Sequence, residues 1–358
     1  MNSTTLGRYD WHATYDWNYE HAPDPVPQDE ATVPGQWDFC GLPIGSPLGI
    51  AAGPLLNGRW ILHYASLGFD VLTYKTVRSR FRACYPTPNL QPVEAGDLRD
   101  GDTQLQTSDA MRGSWAVSFG MPSKAPDVWR ADVECTRRTL AKNKILSVSV
   151  VATPEPHWTV DHLAADFACC AKWAVESGAD CVEANFSCPN VASADAQLYQ
   201  QPNVAGVVTA RLREAVGAKP LLIKIGHVTD EALAAELSKA VAPHADALVM
   251  VNCIAAMVLD ARQRPIFDGQ KRGIAGDAIR EASITQVHLF ARVIRQHALK
   301  LRLVGVGGIA TAQHVHAYQE AGSHGVQLAT AAMLNPLLGK QMRRDLGGAT
   351  LEVGSLPS

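Results

Sequence analysis

The stretch DCVEANFSCPN, residues 180–190, joins a short strand signal to side chains that can do chemistry. Its first part, Asp180–Asn185, is a run of mostly apolar and small residues that predicts a buried strand. Its second part carries Ser187, Cys188 and Asn190 around a proline. Reactive residues directly after a buried strand are typical of parallel α/β folds, in which ligands bind at the carboxyl ends of the strands.

Similar strand signals recur on both sides of this stretch, each followed by a segment of helical character. Strands that alternate with helices predict a parallel α/β protein. An open, doubly wound sheet could be built from such units, but eight of them, with glycines and polar residues at the strand ends, favour closure into one (β/α)8 TIM barrel. In chain order the predicted strands are Leu48–Ala52, Asp70–Lys75, Leu146–Val151, Asp180–Asn185, Leu221–Ile225, Ala247–Asn252, Arg302–Val306 and Gly325–Ala329.

Helix signals lie where a barrel requires helices. Apolar residues recur at helical spacing from Leu163 to Ala174 and predict a stripe that packs on the barrel wall. Thr229 stands ahead of two acidic residues and is expected to cap the start of a helix. Thr311 is expected to open another helix, which Gly322 can end.

We divide the chain into an N-terminal extension (residues 1–42), a barrel (residues 43–345) and a C-terminal tail (residues 346–358). The extension is rich in aromatic residues, which we expect to pack on the barrel rather than to bind a ligand. Residues 78–142 separate the second and third predicted strands and form an insertion much longer than an ordinary connection between a strand and a helix. An insertion at this rim commonly forms a lid or an interface.

The composition points to small-molecule chemistry. The 32 Lys and Arg residues nearly balance the 35 Asp and Glu residues, so the net charge of -3 gives no broad surface for nucleic acid or an anionic membrane. The N-terminus has no signal-peptide pattern, and no apolar run reaches the length of a membrane span. None of the eight cysteines forms a CxxC pair, so we expect no metal site and a reduced, cytoplasmic chain.

The ends of the predicted strands resemble the dihydroorotate dehydrogenase family, in order, over roughly residues 43–338. The most specific element is Asn185-Phe-Ser-Cys-Pro-Asn190. The resemblance implies an FMN-dependent oxidoreductase that acts on a CH–CH bond next to a carbonyl. The elements that carry it are Gly49–Pro54, Thr73–Thr76, Glu183–Asn190, Ile223–Ile225, Val251–Ile254, Gly305–Ile309 and Val326–Thr330.

Within this resemblance, Cys188 is the residue that takes a proton from a substrate carbon while hydride passes from the adjacent carbon to flavin N5. Lys75 and Asn185 are the other implied catalytic residues. A cysteine at this position is similar to the soluble class 1 enzymes, whereas class 2 enzymes have a serine there. The N-terminus also lacks the apolar amphipathic helices with which class 2 enzymes reach a membrane quinone.

The resemblance also implies where FMN binds. Reduced flavin carries negative charge at its N1 and O2 edge, and Lys224 is assigned to that edge. Backbone N–H groups after the seventh and eighth strands would bind the phosphate, and Gly273–Gly276 would be a glycine loop that approaches the cofactor. The implied cofactor-binding residues are Ala51, Ala52, Gly53, Lys75, Thr76, Ser149, Asn185, Lys224, Asn252, Gly276, Gly307, Gly308, Ala329 and Thr330.

The implied substrate is dihydroorotate or a related dihydropyrimidine. The imide edge of such a ring alternates hydrogen-bond acceptors and donors, and an asparagine amide suits it because the amide both donates and accepts. As isolated residues, these asparagines could equally form turns. The implied substrate-binding residues are Lys75, Phe119, Gly120, Asn185, Asn190, Asn252 and Cys253.

Three positions depart from the family pattern. Family members that act on orotate have an asparagine ahead of a Ser-x-Gly-x-Pro segment, and Val117 occupies that place here. Cys253 stands where a serine is usual, and Ser149 where an asparagine often contacts flavin. Loss of one donor weakens the binding of a buried carboxylate by on the order of 1–3 kcal/mol, so the sequence does not specify orotate as the ligand.

Other interpretations remain open from sequence alone. Arg78, Arg80 and Arg82 could supply a replacement charge or form a solvated face. A flavin-free barrel lyase or isomerase could use Lys224 as its reactive amine, and the valine at position 117 would also suit a non-catalytic ligand sensor.

The expected partners are a small-molecule substrate and a separate electron acceptor, with the chain as a homo-oligomer, most simply a dimer. We expect neither a nucleic acid nor a membrane as a partner. Some class 1 enzymes pass electrons to an iron–sulfur, FAD-containing subunit. This chain has no cysteine cluster of its own, so such a route would need a separate protein.

Overall fold

Eight parallel strands close into a barrel at the centre of the computed structural model, which describes residues 6–27, 30–99, 103–187 and 194–348. In chain order the strands are β1 (Trp37–Phe39), β2 (Leu42–Ile44), β3 (Leu48–Ile50), β4 (Val71–Val77), β5 (Leu90–Glu94), β6 (Gln104–Thr107), β7 (Ser114–Val117), β8 (Ile145–Val150), β9 (Cys181–Asn185), β10 (Leu221–Lys224), β11 (Ala247–Met250), β12 (Ile254–Leu259), β13 (Arg272–Gly276), β14 (Arg302–Val306) and β15 (Gly325–Leu328).

The barrel strands follow one another in chain order: β3, β4, β8, β9, β10, β11, β14 and β15, with β15 paired to β3. Nearly every residue of these strands is buried, because helices cover the outside and side chains fill the inside. All eight predicted strands and the TIM-barrel fold are confirmed.

Helices separate the barrel strands as expected. The predicted apolar stripe is buried in the fourth helix, and Thr311 caps the eighth by accepting a hydrogen bond from the His314 N–H. The cap of the sixth helix is Asp230, which accepts from the Leu233 N–H, so the prediction of Thr229 was wrong by one residue. The helices are α1 (Tyr15–Glu20), α2 (Gly58–Ser66), α3 (Pro126–Thr139), α4 (Val160–Glu176), α5 (Pro202–Val216), α6 (Glu231–Val241), α7 (Arg280–Gln296), α8 (Ala312–Glu320), α9 (Thr330–Leu334) and α10 (Leu338–Gly348).

The inside of the barrel changes character along its axis. At the amino-terminal end, Phe39 of the β1–β2 hairpin packs among inward-facing apolar residues such as Val71, Ile145 and Leu222. Nearer the carboxyl ends, buried polar residues replace them, and Glu183 is one of these. Since buried polar groups cost free energy unless they are partnered or functional, this change marks the carboxyl end as the place for a site.

A second closed sheet of five strands was not predicted. It consists of β5, β6 and β7 from the insertion together with β12 and β13, which follow the sixth barrel strand. Gly273–Gly276, expected as a loop, therefore belongs to strand β13. The same insertion segment also contains α3, which packs beside α2 and α4 as a helix of the barrel's outer ring.

The N-terminal segment packs through its aromatic side chains, as expected. Tyr9 and Tyr15 are buried, and the Tyr9 ring lies 6.0 Å from the ring of Trp60. The Tyr15 ring contacts Phe119 edge-on at 6.3 Å between centroids. Within the described part of the chain, no helix is both long enough and apolar enough to cross a membrane.

A buried ion cluster joins the amino-terminal end of the barrel to the last helix. Asp70 is fully buried just before β4 and accepts hydrogen bonds from Ser46 Oγ at 2.5 Å and Lys144 Nζ at 3.1 Å. Arg343 of α10 also donates to this carboxylate. With three donors around it, the buried charge is well compensated.

We predict that Asp70→Asn destabilises the protein by about 3–5 kcal/mol, because it removes the fully buried carboxylate that Lys144 and Arg343 share and leaves them only the partly buried Glu30. Urea denaturation would measure the change in the free energy of unfolding. Glu134→Gln is the control, since Glu134 pairs with Arg138 at 3.0 Å on the exposed surface. This control should cost no more than about 0.5 kcal/mol, and equal losses in both variants would contradict the prediction.

Candidate active site

A cavity opens at the carboxyl ends of the barrel strands, with walls from the barrel and from the second sheet. Parallel strands that close into a barrel bring all their carboxyl ends to one rim, so residues far apart in sequence meet there. The cavity brings together twelve of the residues proposed from sequence: Ala51, Ala52, Gly53, Lys75, Thr76, Phe119, Asn185, Lys224, Asn252, Cys253, Ala329 and Thr330.

A smaller recess adjoins this cavity at the ends of β14 and β15. Gly307 and Gly308 turn the chain here with φ of 131° and 62°, a left-handed backbone that favours glycine. Gly276 lines the recess as well, and Asn252, Ala329 and Thr330 line both spaces. We call this space the glycine recess. Its turns present backbone rather than side chains, which suits a phosphate group.

Two lysines make the cavity electropositive. Among the described residues that line it, Lys75 and Lys224 are the ionisable ones that carry positive charge, and no carboxylate lines it. Both are buried. The Lys75 Nζ lies 5.7 Å from the centroid of the Phe119 ring, and the Lys224 Nζ lies 3.7 Å from Oε1 of Glu183. A site with these charges favours an anionic or electron-rich ligand.

The two cavity asparagines hold the backbone that leads to Cys188. The Ser187 N–H donates to Asn185 Oδ1 at 3.0 Å, and Asn252 Nδ2 donates to the Ser187 carbonyl at 2.8 Å. The chain is therefore fixed at the last residue before position 188. Cys188 and Asn190 themselves lie outside the described residues.

Two of the proposed residues that the structure describes line neither the cavity nor the glycine recess. Ser149 contacts a lining residue instead, with its Oγ 3.0 Å from the Thr76 hydroxyl. Gly120 faces the Tyr85 ring, which a Cβ at this position would approach to 2.5 Å. Ser149 can thus orient Thr76, and Gly120 makes room for an aromatic ring.

The cavity also contains residues that the sequence did not single out, and most of them are apolar. The described members are Leu90, Trp115, Met121 and Met333. Trp115 lies two residues before Val117, and Met121 lies within the Val117–Pro122 segment, so proximity to that segment was the available signal.

Val117 itself lines the cavity, so the departure from the family pattern falls at the site. None of the three candidate arginines lines it in the described structure. The buried Arg78 donates to the Met121 carbonyl at 3.0 Å, and the exposed Arg80 pairs with Glu155. The wall around Val117 is therefore apolar, without a replacement charge from these arginines.

Burial makes some other cysteines poor proton acceptors. It raises the pKa of Cys84 to about 11, although the nearby Lys75 opposes the shift. Burial likewise raises the pKa of Cys181 to about 12. Both are therefore thiols at neutral pH. The described residues contain no group of three or more His, Cys, Asp or Glu side chains placed to hold a metal ion.

The arrangement fits a planar, phosphorylated cofactor. The cavity and the glycine recess share lining residues and so form one continuous space. Lys224 gives this space a positive charge. A Cβ added at Gly53 would meet no atom within 4 Å, so the space beside Gly53 is open. Asp277 lines the recess too, but Arg280 pairs with it at 3.1 Å and offsets its charge. The donor set and shape thus suit a flavin mononucleotide.

Comparison with known proteins agrees with this architecture. The family model for dihydroorotate dehydrogenase matches residues 36–348. A Dictyostelium discoideum protein named dihydroorotate dehydrogenase is 29% identical over 356 residues, which cover 92% of this chain and 95% of that protein. The catalytic subunit of dihydroorotate dehydrogenase B (NAD(+)) from Desulforudis audaxviator is 27% identical over 319 residues, 88% of this chain and 92% of that subunit.

A solved structure of DHODH from Eimeria tenella, in complex with ferulenol, matches with a TM-score of 0.70 at 16% identity. The match covers 92% of this chain and 88% of the Eimeria tenella chain, and it shows a likeness of fold. The family model spans most of the chain, from the β1–β2 hairpin to the last helix. The chain therefore belongs to the dihydroorotate dehydrogenase family of oxidoreductases.

Proposed function

We propose that this chain is an FMN-dependent oxidoreductase that acts on the CH–CH bond next to a carbonyl in dihydroorotate or a related dihydropyrimidine. The observation that carries the proposal is one cavity that is lined by the buried Lys75 and Lys224 and adjoins the glycine recess. A cationic site joined to a recess built from glycine turns is what a phosphorylated redox cofactor requires.

In this proposal, backbone groups near Gly307, Gly308 and Thr330 would hold the phosphate of FMN in the glycine recess. Lys224 would offset negative charge on the reduced ring, and the small residues Ala51–Gly53 would leave space for the ring. When bound, FMN would supply the hydride acceptor, its N5 atom. The remaining work of the protein is to bind the substrate, orient it and move a proton.

Cys188 is the proposed proton acceptor. Its thiolate would remove a proton from the substrate carbon next to the one that gives up hydride. Asn185 and Asn252 fix the backbone at Ser187, the residue that precedes Cys188 in the chain. Lys75 would neutralise charge on the substrate.

The proposed partners are a dihydropyrimidine substrate and a separate electron acceptor, with the chain working as a homodimer in the cytoplasm. The relative from Desulforudis audaxviator is named as the catalytic subunit of an NAD(+) enzyme. A separate protein that takes electrons from this chain is accordingly one candidate for the electron acceptor.

We predict that the purified protein binds FMN and that Lys224→Met weakens binding at least about tenfold, because a buried cation opposite the ring is lost. Fluorescence quenching of added FMN would measure the affinity. Lys239→Met, on helix α6, is a control lysine outside the site. A wild-type protein that stays colourless when FMN is supplied would contradict the proposal and favour a flavin-free use of Lys224.

The second prediction concerns the proton acceptor. Cys188→Ala should retain bound FMN but slow its reduction by substrate at least about a hundredfold, the usual scale for the loss of a general base. Anaerobic stopped-flow absorbance with dihydroorotate and other dihydropyrimidines measures that rate. Cys135→Ala changes an exposed cysteine and should leave it unaltered. Equal reduction rates for Cys188→Ala and the wild type would remove Cys188 from the mechanism.

The third prediction concerns the substrate. Val117→Asn should lower KM for dihydroorotate about tenfold, because a buried amide gives the carboxylate a donor worth roughly 1–3 kcal/mol. KM for dihydrouracil, which lacks the carboxylate, should not fall. Val207→Asn places the same change on the exposed face of α5. If both substrates respond alike, Val117 does not face the carboxylate position.

A further inference from the structure

Glu183 is a buried carboxylate that the chemistry above does not use. It lies in strand β9, two residues before Asn185, and none of it is exposed to solvent. Neither carboxylate oxygen has a hydrogen-bond partner among the described residues. Such a group costs considerable free energy unless a counter-charge is near, so its presence requires an explanation.

The nearby counter-charge is Lys224. Its Nζ lies 3.7 Å from Glu183 Oε1, too far for a hydrogen bond but close enough for strong attraction in a buried site. In the parallel pair of β9 with β10, Asn185 stands opposite Lys224 and Glu183 opposite Leu222. Lys224 lines the cavity, whereas Glu183 does not, so the carboxylate can act on the cavity only through the lysine.

The contrast with Asp70 argues against a purely structural pair. The Asp70 carboxylate, also fully buried, accepts hydrogen bonds from Ser46, Lys144 and Arg343. If the Glu183–Lys224 pair served stability alone, we would expect its carboxylate to accept hydrogen bonds as the Asp70 carboxylate does. Glu183 instead has one cation nearby, Lys224, which lies beyond hydrogen-bond distance. Incompletely paired charges of this kind are common at functional sites.

We propose that Glu183 is a positioning residue that holds the Lys224 ammonium at the cavity floor and offsets part of its charge. The inference rests on the proposed function. A lone buried lysine would strongly favour an anionic reduced flavin and hinder its reoxidation. With the carboxylate beside it, the site binds the oxidised and reduced cofactor with more nearly equal affinity, so that electrons can leave for the acceptor.

The first test measures the reduction equilibrium of bound FMN by anaerobic titration against a reference dye. Glu183→Gln should shift the equilibrium at least tenfold toward reduced flavin, which is about 30 mV for a two-electron couple. Glu183→Asp keeps the charge and should shift it less than about threefold. The same limit applies to Ser147→Ala, a control that alters a buried serine of the neighbouring strand β8. A folded, FMN-loaded Glu183→Gln protein with the wild-type potential would overturn the proposal.

The second test uses FMN-free protein and therefore does not depend on the proposed function. Glu183→Gln should lower the melting temperature, and adding Lys224→Gln should restore at least half of that loss, because the neutral pair leaves no uncompensated charge. If Glu183→Gln alone fails to fold, recovery of folding in the double variant tests the same coupling. A double variant no more stable than Glu183→Gln would show that the two residues are not coupled. Failure of the wild type to bind FMN would instead refute the proposed function and leave the coupling measurable.

Discussion

Closure of a parallel sheet is the constraint on which the rest of the site depends. When β15 pairs with β3, the carboxyl ends of all eight strands meet at one rim, and residues such as Lys75, Asn185 and Lys224 come to share one cavity. No local feature of the chain could bring them together. The buried positive charge at this rim then determines what the cavity accepts, because a lysine removed from water favours an anionic or electron-rich ligand.

The two ends of the barrel have different tasks. At the amino-terminal end, Phe39 packs into an apolar floor, and the Asp70 cluster fixes the last helix to the barrel with every charge compensated. Nearer the carboxyl end, the Glu183 carboxylate is buried without a hydrogen-bond partner in the described structure. The buried charges are thus fully paired at the end of the barrel where no ligand is expected, and a buried carboxylate is incompletely paired near the cavity, where a ligand is expected.

The second sheet brings residues of the insertion to the wall of the cavity. Its strands β7 and β13 pair with each other and carry Val117 and Ala275 into the cavity wall, together with Trp115. The barrel therefore supplies the cationic floor and the glycine recess, while the sheet above supplies an apolar wall. Substrate preference can change through the sheet without disturbing the strands that position Lys224, which suits a fold that varies its chemistry through its loops.

The sequence by itself determined the eight barrel strands, because short apolar runs and helical stripes are local patterns, and it determined the family through the motif around Asn185. The roles proposed for the strand-end residues, Cys188 foremost, stay predictions. Only the tertiary structure decided that β12 and β13 join the insertion in a second sheet, that Gly120 faces Tyr85 and that Glu183 approaches Lys224. These contacts join segments distant in the chain, and local patterns do not specify which distant segments pair and so which side chains meet.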